Sequence, residues 1–530
     1  MTERSVRNSL RPWLFFLLAL GTWAQGPPAP ATSGAAGQPS ASGPLARPTP
    51  ARSGVCVACI RAHMDFLASD ALRGRGSGTH DELVAATYVA SALEQYDIAP
   101  AGDNGSYIQR AVTVRPVLTA PPTMHFMTPG DGIPAQTIVW THGKEMLVEQ
   151  ISDTEFRGRL KRIILGPEPA LREEGRALGA AQEPEAREHE GQQLAPGSGQ
   201  EPSKDAVVLI NGGGAERIRD TAIGALAAGA LAVLLPASAE TLRDWHEKGS
   251  ELPRLPARLQ GESETGLGSS FNVFALSQQA LIDLRGIPDG TYIYLETKTG
   301  APEMGSTWNA VGKITGGDPE LRKSSILLSA HLDHLGVGEP VKGDSIYNGA
   351  DDDASGTTAV LELARVLGSG PKPRHTVIFA LFGSEEAGGL GSLWFLAHSP
   401  VPLAEIAANL EFEMIGRRDP KYPGDTLWLT GWDRTNLGPA LAAHGARLAA
   451  DARPDQHFFM RSDNYLLAKK GVVAQTISSF GLHADYHKPS DDLAHIDFTH
   501  MTAAIRSLIP PVEWLVNAAF QPEWRPGGKP

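Results

Sequence analysis

The chain has 530 residues, of which 42% are hydrophobic and 20% charged, and its formal net charge is −13. That length exceeds what one hydrophobic core serves, so more than one domain or a large insertion is expected. The acidic balance excludes the basic footprint of a nucleic-acid binder, and no nucleic-acid partner is expected.

Arg4, Arg7 and Arg11 precede an apolar run from Trp13 to Leu20, and Thr22-Trp23-Ala24 offers small residues where a signal peptidase cuts. Residues 1–24 therefore read as a secretory signal peptide, with a retained N-terminal anchor as the alternative. The run is about half of the ~20 residues a membrane span needs, and no stable span is expected elsewhere. No cysteine stands just after the run to carry a lipid. The expected location is outside the cytoplasm, periplasmic or secreted. Residues 25–54, nearly all Pro, Ala, Ser, Gly and Thr, read as a disordered linker. Cys56 and Cys59 are the two cysteines of the chain. In an exported protein their Cys-Val-Ala-Cys spacing at a helix start reads as a short-loop disulfide rather than a redox motif, and two thiolates alone do not make a zinc site.

Helical spacing begins at Ile60 and continues through Met64, Leu67 and Leu72; Gly74-Arg75-Gly76-Ser77-Gly78 breaks it, and Leu83 to Leu93 forms a second amphipathic helix. From about Thr119 to Gly300 the pattern differs. Val207 to Ile210, the glycines 212 to 214, Ile218 to Ala228 and Ala232 to Leu235 read as strand, turn, helix and strand. The preceding stretch, Pro167 to Lys204, has scarcely a large apolar residue and reads as a disordered acidic surface loop. The three glycines lack the full spacing of a dinucleotide-binding turn, so no nucleotide cofactor is expected there.

From Ser325 onward strands and helices alternate: strand Ile326 to Ala330, helix Thr357 to Leu367, strand Val377 to Phe382, helix Gly391 to Ala397, and strands Ala407 to Met414 and Val472 to Ile477. Such alternation predicts an α/β fold, a mainly parallel sheet sandwiched by helices, with ligands at the carboxyl ends of the strands. Five polar motifs fall at those ends: His331-Leu332-Asp333-His334, Gly349-Ala350-Asp351-Asp352-Asp353-Ala354-Ser355-Gly356, Gly383-Ser384-Glu385-Glu386, Glu413-Met414-Ile415-Gly416-Arg417, and Tyr486-His487 running on to Asp491-Asp492. Histidines and carboxylates in that setting are what a two-metal hydrolytic site needs. Asp333, two residues beyond His331, lies on the same strand face and suits the second imidazole nitrogen. Three adjacent aspartates at a strand-to-helix turn repel one another unless a cation neutralises them, while one of them suits the helix N-cap. In Glu385-Glu386 one acid is placed to bind metal and the other to move a proton, and the pair alone does not say which.

In this order the motifs resemble those of the co-catalytic di-zinc aminopeptidases, metallopeptidase family twenty-eight, over about Ile60 to Leu118 and Thr307 to Phe520. The resemblance implies a zinc-peptidase fold, two zinc ions per chain and peptide substrates. It implies His331 and Glu413 on one zinc, Glu386 and His487 on the other, and Asp352 bridging them. It further implies Glu385 as general base, Asp333 as the partner of His331, Tyr486 as an oxyanion donor, and a cis peptide after Asp352. Glu413 departs from the aspartate usual before Met-Ile-Gly-Arg; Glu411, on the same strand face, is the lesser candidate. Ser462-Asp463-Asn464 stands where relatives carry a Ser-Asp motif, implying a pocket floor, or alternatively a helix N-cap.

The domains expected on this basis are a peptidase domain in two parts, 55–118 and 301–522, and a smaller α/β insertion, 119–300, similar to a protease-associated domain. An aminopeptidase is the leading expectation. A carboxypeptidase or dipeptidase of the same fold would need substrate-facing arginines, for which Arg417, Arg418 and Arg461 are candidates. A one-zinc glutaminyl cyclase and a non-catalytic binding ectodomain are the remaining alternatives.

Overall fold

The protein is described from a computed structural model covering residues 54–127, 137–166, 205–261, 272–481 and 483–530. The expected signal peptide, the linker up to residue 53 and the acidic loop 167–204 lie outside the described residues.

Four neighbouring parallel strands, Val473–Ser478, Ile406–Phe412, Ser325–His331 and Thr376–Phe382, form the middle of a mixed ten-stranded sheet. Ser325–His331 and Thr376–Phe382 are buried along their whole length, which is why they read as near-continuous apolar runs rather than as alternating patterns. The margins of the sheet are antiparallel: Glu303–Ile314 pairs with Thr376–Phe382 and then with Ile108–Arg115, and Leu427–Leu429 pairs with Val473–Ser478.

Alternate residues of Ser325–His331 enter two cores. Ile326, Leu328 and Ala330 pack with helices Val57–Leu67, His80–Gln95, Gly356–Ser369 and Phe498–Leu515. Leu327 packs on the other side with Ile378, Ala380 and helices Leu390–Ala397 and Asn464–Lys469. The result is the expected sandwich, and each fully buried Leu or Ile in it contributes about 1.5–3 kcal/mol. The sequence reading did not anticipate the helix Phe498–Leu515, whose Pro510 and Pro511 are poor helix formers. Burial of Met501, Ile505, Leu508 and Val512 outweighs that cost.

At the start of Val57–Leu67 the disulfide Cys56–Cys59 is formed, and the Cys56 sulfur accepts the Cys59 N–H. A second sheet of eight strands draws on residues 123–296 and encloses its own core around Phe126, Trp140, Phe274 and Leu295. Its strand Ala206–Asn211, helix Ala215–Ala227 and strand Ala232–Pro236 are the unit expected from sequence. Gly212 turns at φ +82°, and a Cβ there would stand 2.4 Å from the Leu165 carbonyl oxygen. The glycine therefore serves the turn. Within the segment 119–300, Arg258–Leu259 crosses back to pair with Thr113–Val114 at the edge of the larger sheet. No helix among the described residues is long and apolar enough to cross a membrane.

Candidate metal centre

The parallel strands deliver the motifs to one end of the sheet. His331 is the last residue of its strand, Glu385 and Glu386 follow Thr376–Phe382, and Glu413 follows Ile406–Phe412. That last strand stops two residues short of the expected end, because Met414 turns the chain at φ +53°.

Two groups of potential ligands result, His331 with Asp352 and Glu413, and His334 with Asp352 and Glu386; the ligand atoms of each lie within 4.8 Å of one another. Asp352 is common to both. Its Oδ1 is 3.2 Å from His331 Nε2, and its Oδ2 is 3.2 Å from His487 Nε2. Glu386 Oε1 lies 2.8 Å from His334 Nδ1, and Oε2 lies 3.3 Å from His487 Nε2. Despite these short distances, His331 Nε2, both ring nitrogens of His334, His487 Nε2 and Glu386 Oε1 have no aligned hydrogen-bond partner although they are buried. Buried polar atoms are rarely left so. Nitrogens and oxygens that converge without satisfying one another, all of types zinc accepts, fit a divalent cation between them.

The three aspartates divide their work in a way that sequence alone did not assign. Asp353 Oδ1 accepts the Gly356 and Met414 N–H groups at 2.9 and 3.1 Å, capping the helix Gly356–Ser369. Asp351 Oδ1 accepts the Gly416 N–H at 2.7 Å. Asp352, between them, turns its carboxylate to the imidazoles, and the Asp352–Asp353 peptide is cis. Asp491 accepts the N–H groups of both Asp351 and Asp352 at 3.1 Å and is itself held by Arg417 at 2.9 Å.

Asp333 faces His331 chiefly through its main chain: His331 Nδ1 is 3.2 Å from the Asp333 carbonyl oxygen and 3.7 Å from its carboxylate. The carboxylate instead accepts the Glu385 N–H at 3.0 Å, the Glu386 N–H at 3.4 Å and the Ser77 hydroxyl at 2.5 Å. It thereby fixes the loop that carries both glutamates. Glu411 accepts the Asn464 N–H at 2.5 Å and belongs to neither ligand group. Ser392 donates to Asp463, whose charge helps to raise the Glu385 carboxyl.

Burial, helped by Asp463, Glu386 and Glu413 and opposed by His331, holds the Glu385 carboxyl well above the usual carboxylate range. Burial acts to lower the His487 imidazole, but Asp352 and Glu386 lift it to about 10, a measure of the negative potential in the cleft. Tyr486 stacks on His487 with ring centroids 3.8 Å apart. Burial and the neighbouring carboxylates raise its hydroxyl, so it stays a protonated donor.

Sequence reasoning passed over two contributors. His334 belongs to a quoted motif but received no role, because strand alternation points it away from His331; the strand has ended by then, and alternation no longer governs. Arg75 lies in the glycine-rich break and is wholly buried, donating to the carbonyls of Leu67, Leu332, Asn348 and Gly349. An arginine flanked by glycines is the signal that marked it.

A histidine and carboxylate centre at the strand ends of a helix-covered α/β sheet is the arrangement of a metallopeptidase-type protein. Residues 309–509 match Peptidase family M28, and the chain carries a domain of that family. Leupeptin-inactivating enzyme 1 of Streptomyces exfoliatus is 32% identical over 130 residues, covering 24% of this chain and 26% of that protein. An aminopeptidase of Pseudomonas aeruginosa strain UCBPP-PA14 is 34% identical over 111 residues, covering 21% of this chain and 18% of its own. The matches thus span about a quarter or less of these relatives. Among solved structures, an aminopeptidase from Aneurinibacillus sp. strain AM-1 aligns with a TM-score of 0.49 at 18% identity, covering 89% of this chain and 96% of that one.

Proposed function

We propose that the protein is an exported aminopeptidase that uses two zinc ions to remove the first residue of a peptide. The observation that carries this reading is the convergence of buried, unpartnered imidazole nitrogens and carboxylate oxygens on Asp352. His331, Asp352 and Glu413 would hold one ion, and Asp352, Glu386 and His487 the other, with His334 beside Glu386. When bound, zinc supplies the Lewis acidity that brings the pKa of water near 7.

The protein's own groups do the rest. Glu385, whose affinity for a proton burial raises, takes the proton of the attacking water and returns it to the leaving amine. Asp333 keeps Glu385 in place through the N–H it accepts. The Tyr486 phenol donates to the oxygen on which charge develops. Two arginines that a carboxypeptidase would turn toward substrate are engaged elsewhere: Arg417 with Asp485 and Asp491, and Arg418 with Asp425. We also propose that the unit built on the second sheet is a protease-associated domain, supported by its strand, helix, strand arrangement around Ala206–Pro236.

The test is metal content of the purified protein together with release of N-terminal residues from a panel of aminoacyl substrates, before and after chelation. About two zinc ions per chain, chelator-sensitive release, and a loss of about 10²–10⁴-fold in Glu385→Gln are expected. One zinc without amine release, or no metal at all, would overturn the reading.

A further inference from the structure

A pocket opens beside the centre, sharing Glu413 and Tyr486 with it; Met414, Trp428, Thr430 and Phe458 form its walls, and Arg461 lines it as well. Trp428 and Phe458 are tilted against each other with centroids 5.0 Å apart. The Arg461 guanidinium lies 5.4 Å from the Phe458 ring centroid. Glu413 and Arg461 are the charged residues among those lining the pocket, and Glu413 is spoken for by the proposed metal. Arg461 has no carboxylate within ion-pair distance among the described residues. A partly solvated cation over an aromatic wall, adjoining the point where the scissile bond must lie, is a receptor for an anion.

Resting on the aminopeptidase reading, we propose that this pocket receives the side chain of the substrate's first residue and that Arg461 selects an acidic one, aspartate or glutamate. The apolar walls contact the methylenes of that side chain and strip water from its carboxylate, strengthening the pairing with the guanidinium. Lysine or arginine at the same position meets a like charge. If Arg461 only offset the negative charge of Glu413, its removal would change the turnover of every substrate alike.

The test compares kcat/KM of the zinc-loaded full-length protein for glutamyl, leucyl and lysyl p-nitroanilides. Arg461→Gln is expected to lower the glutamyl-to-leucyl ratio about tenfold, Arg461→Lys to restore most of it, and Arg461→Glu to shift the lysyl-to-glutamyl ratio upward. Because Arg461 is exposed, these variants are expected to keep their fold. A ratio unmoved by Arg461→Gln, whether both rates fall together or neither changes, overturns the acidic selectivity while leaving the aminopeptidase reading intact. Absence of release from all three substrates overturns both.

Discussion

Arg75 is where the fold and the centre are tied together, and replacing it is a severe test of that claim. Its Nε donates to Leu332 O at 2.9 Å, Nη1 to Leu67 O and Asn348 O at 2.6 Å each, and Nη2 to Gly349 O at 2.9 Å. Leu332 follows His331, and Gly349 opens the aspartate turn, so one guanidinium holds both flanks of the ligand cluster. Arg75→Met retains bulk but removes every donor. A buried acceptor left unsatisfied costs about 1–3 kcal/mol, so four of them set a gross loss of about 4–12 kcal/mol. Against this stands the desolvation of the cation, several kcal/mol, which the variant no longer bears. Burial is strong enough to lower the guanidinium pKa even with Asp333, Asp353, Asp352 and Asp491 acting to raise it. The net expectation is about 3–5 kcal/mol of lost stability, the range for breaking a buried charged network. Urea unfolding followed by tryptophan fluorescence measures it, with zinc affinity read in parallel. A variant within about 1 kcal/mol of the parent, binding zinc normally, would refute the idea that this arginine organises the centre.

Asp491→Asn removes the charge that receives two main-chain N–H groups of the aspartate turn and the Arg417 guanidinium. Zinc affinity by competition titration is expected to fall about 10–100-fold, and an unchanged affinity would show that Asp352 is aimed without it. His63 is buried between the hydroxyls of Tyr88 and Tyr96, 2.9 Å from each. Burial, with a smaller contribution from Arg365, depresses its pKa from 6.5 to about 4. The unfolded chain therefore takes up the proton first as pH falls, so stability is whole above about pH 6.5 and declines by about 3 kcal/mol toward pH 4. His63→Gln lacks this decline, and urea midpoints of the two proteins at pH 7.5 and 4.5 measure it; parallel losses would sink the assignment. Adding zinc to metal-free protein at 100 times its dissociation constant is expected to stabilise it by about 2.7 kcal/mol, read as a higher Tm, whereas an unmoved Tm would count against a built site.

The sequence by itself carried the fold class and the list of chemically able residues. Runs such as Thr376–Phe382 are apolar throughout because both faces are covered, and the acids and histidines at their ends had no other ready explanation. It also carried the break at Gly74 to Gly78, without revealing that Arg75 fills the space behind the centre. The assignment of neighbouring acids was decided only by the tertiary structure. Asp351, Asp352 and Asp353 are chemically identical in sequence, and they differ because the Met414 and Gly416 amides of a distant segment, joined at Asp353 by the neighbouring Gly356 amide, claim the outer two. The same holds for Asp333, whose carboxylate holds the glutamate loop rather than mainly the imidazole, and for the arginines, of which Asp485, Asp491 and Asp425 take two and leave Arg461 in the pocket. Residue type and local period are properties of a short stretch of chain. Which donor meets which acceptor depends on segments far apart in sequence, and that pairing exists only once the sheet has brought their ends together.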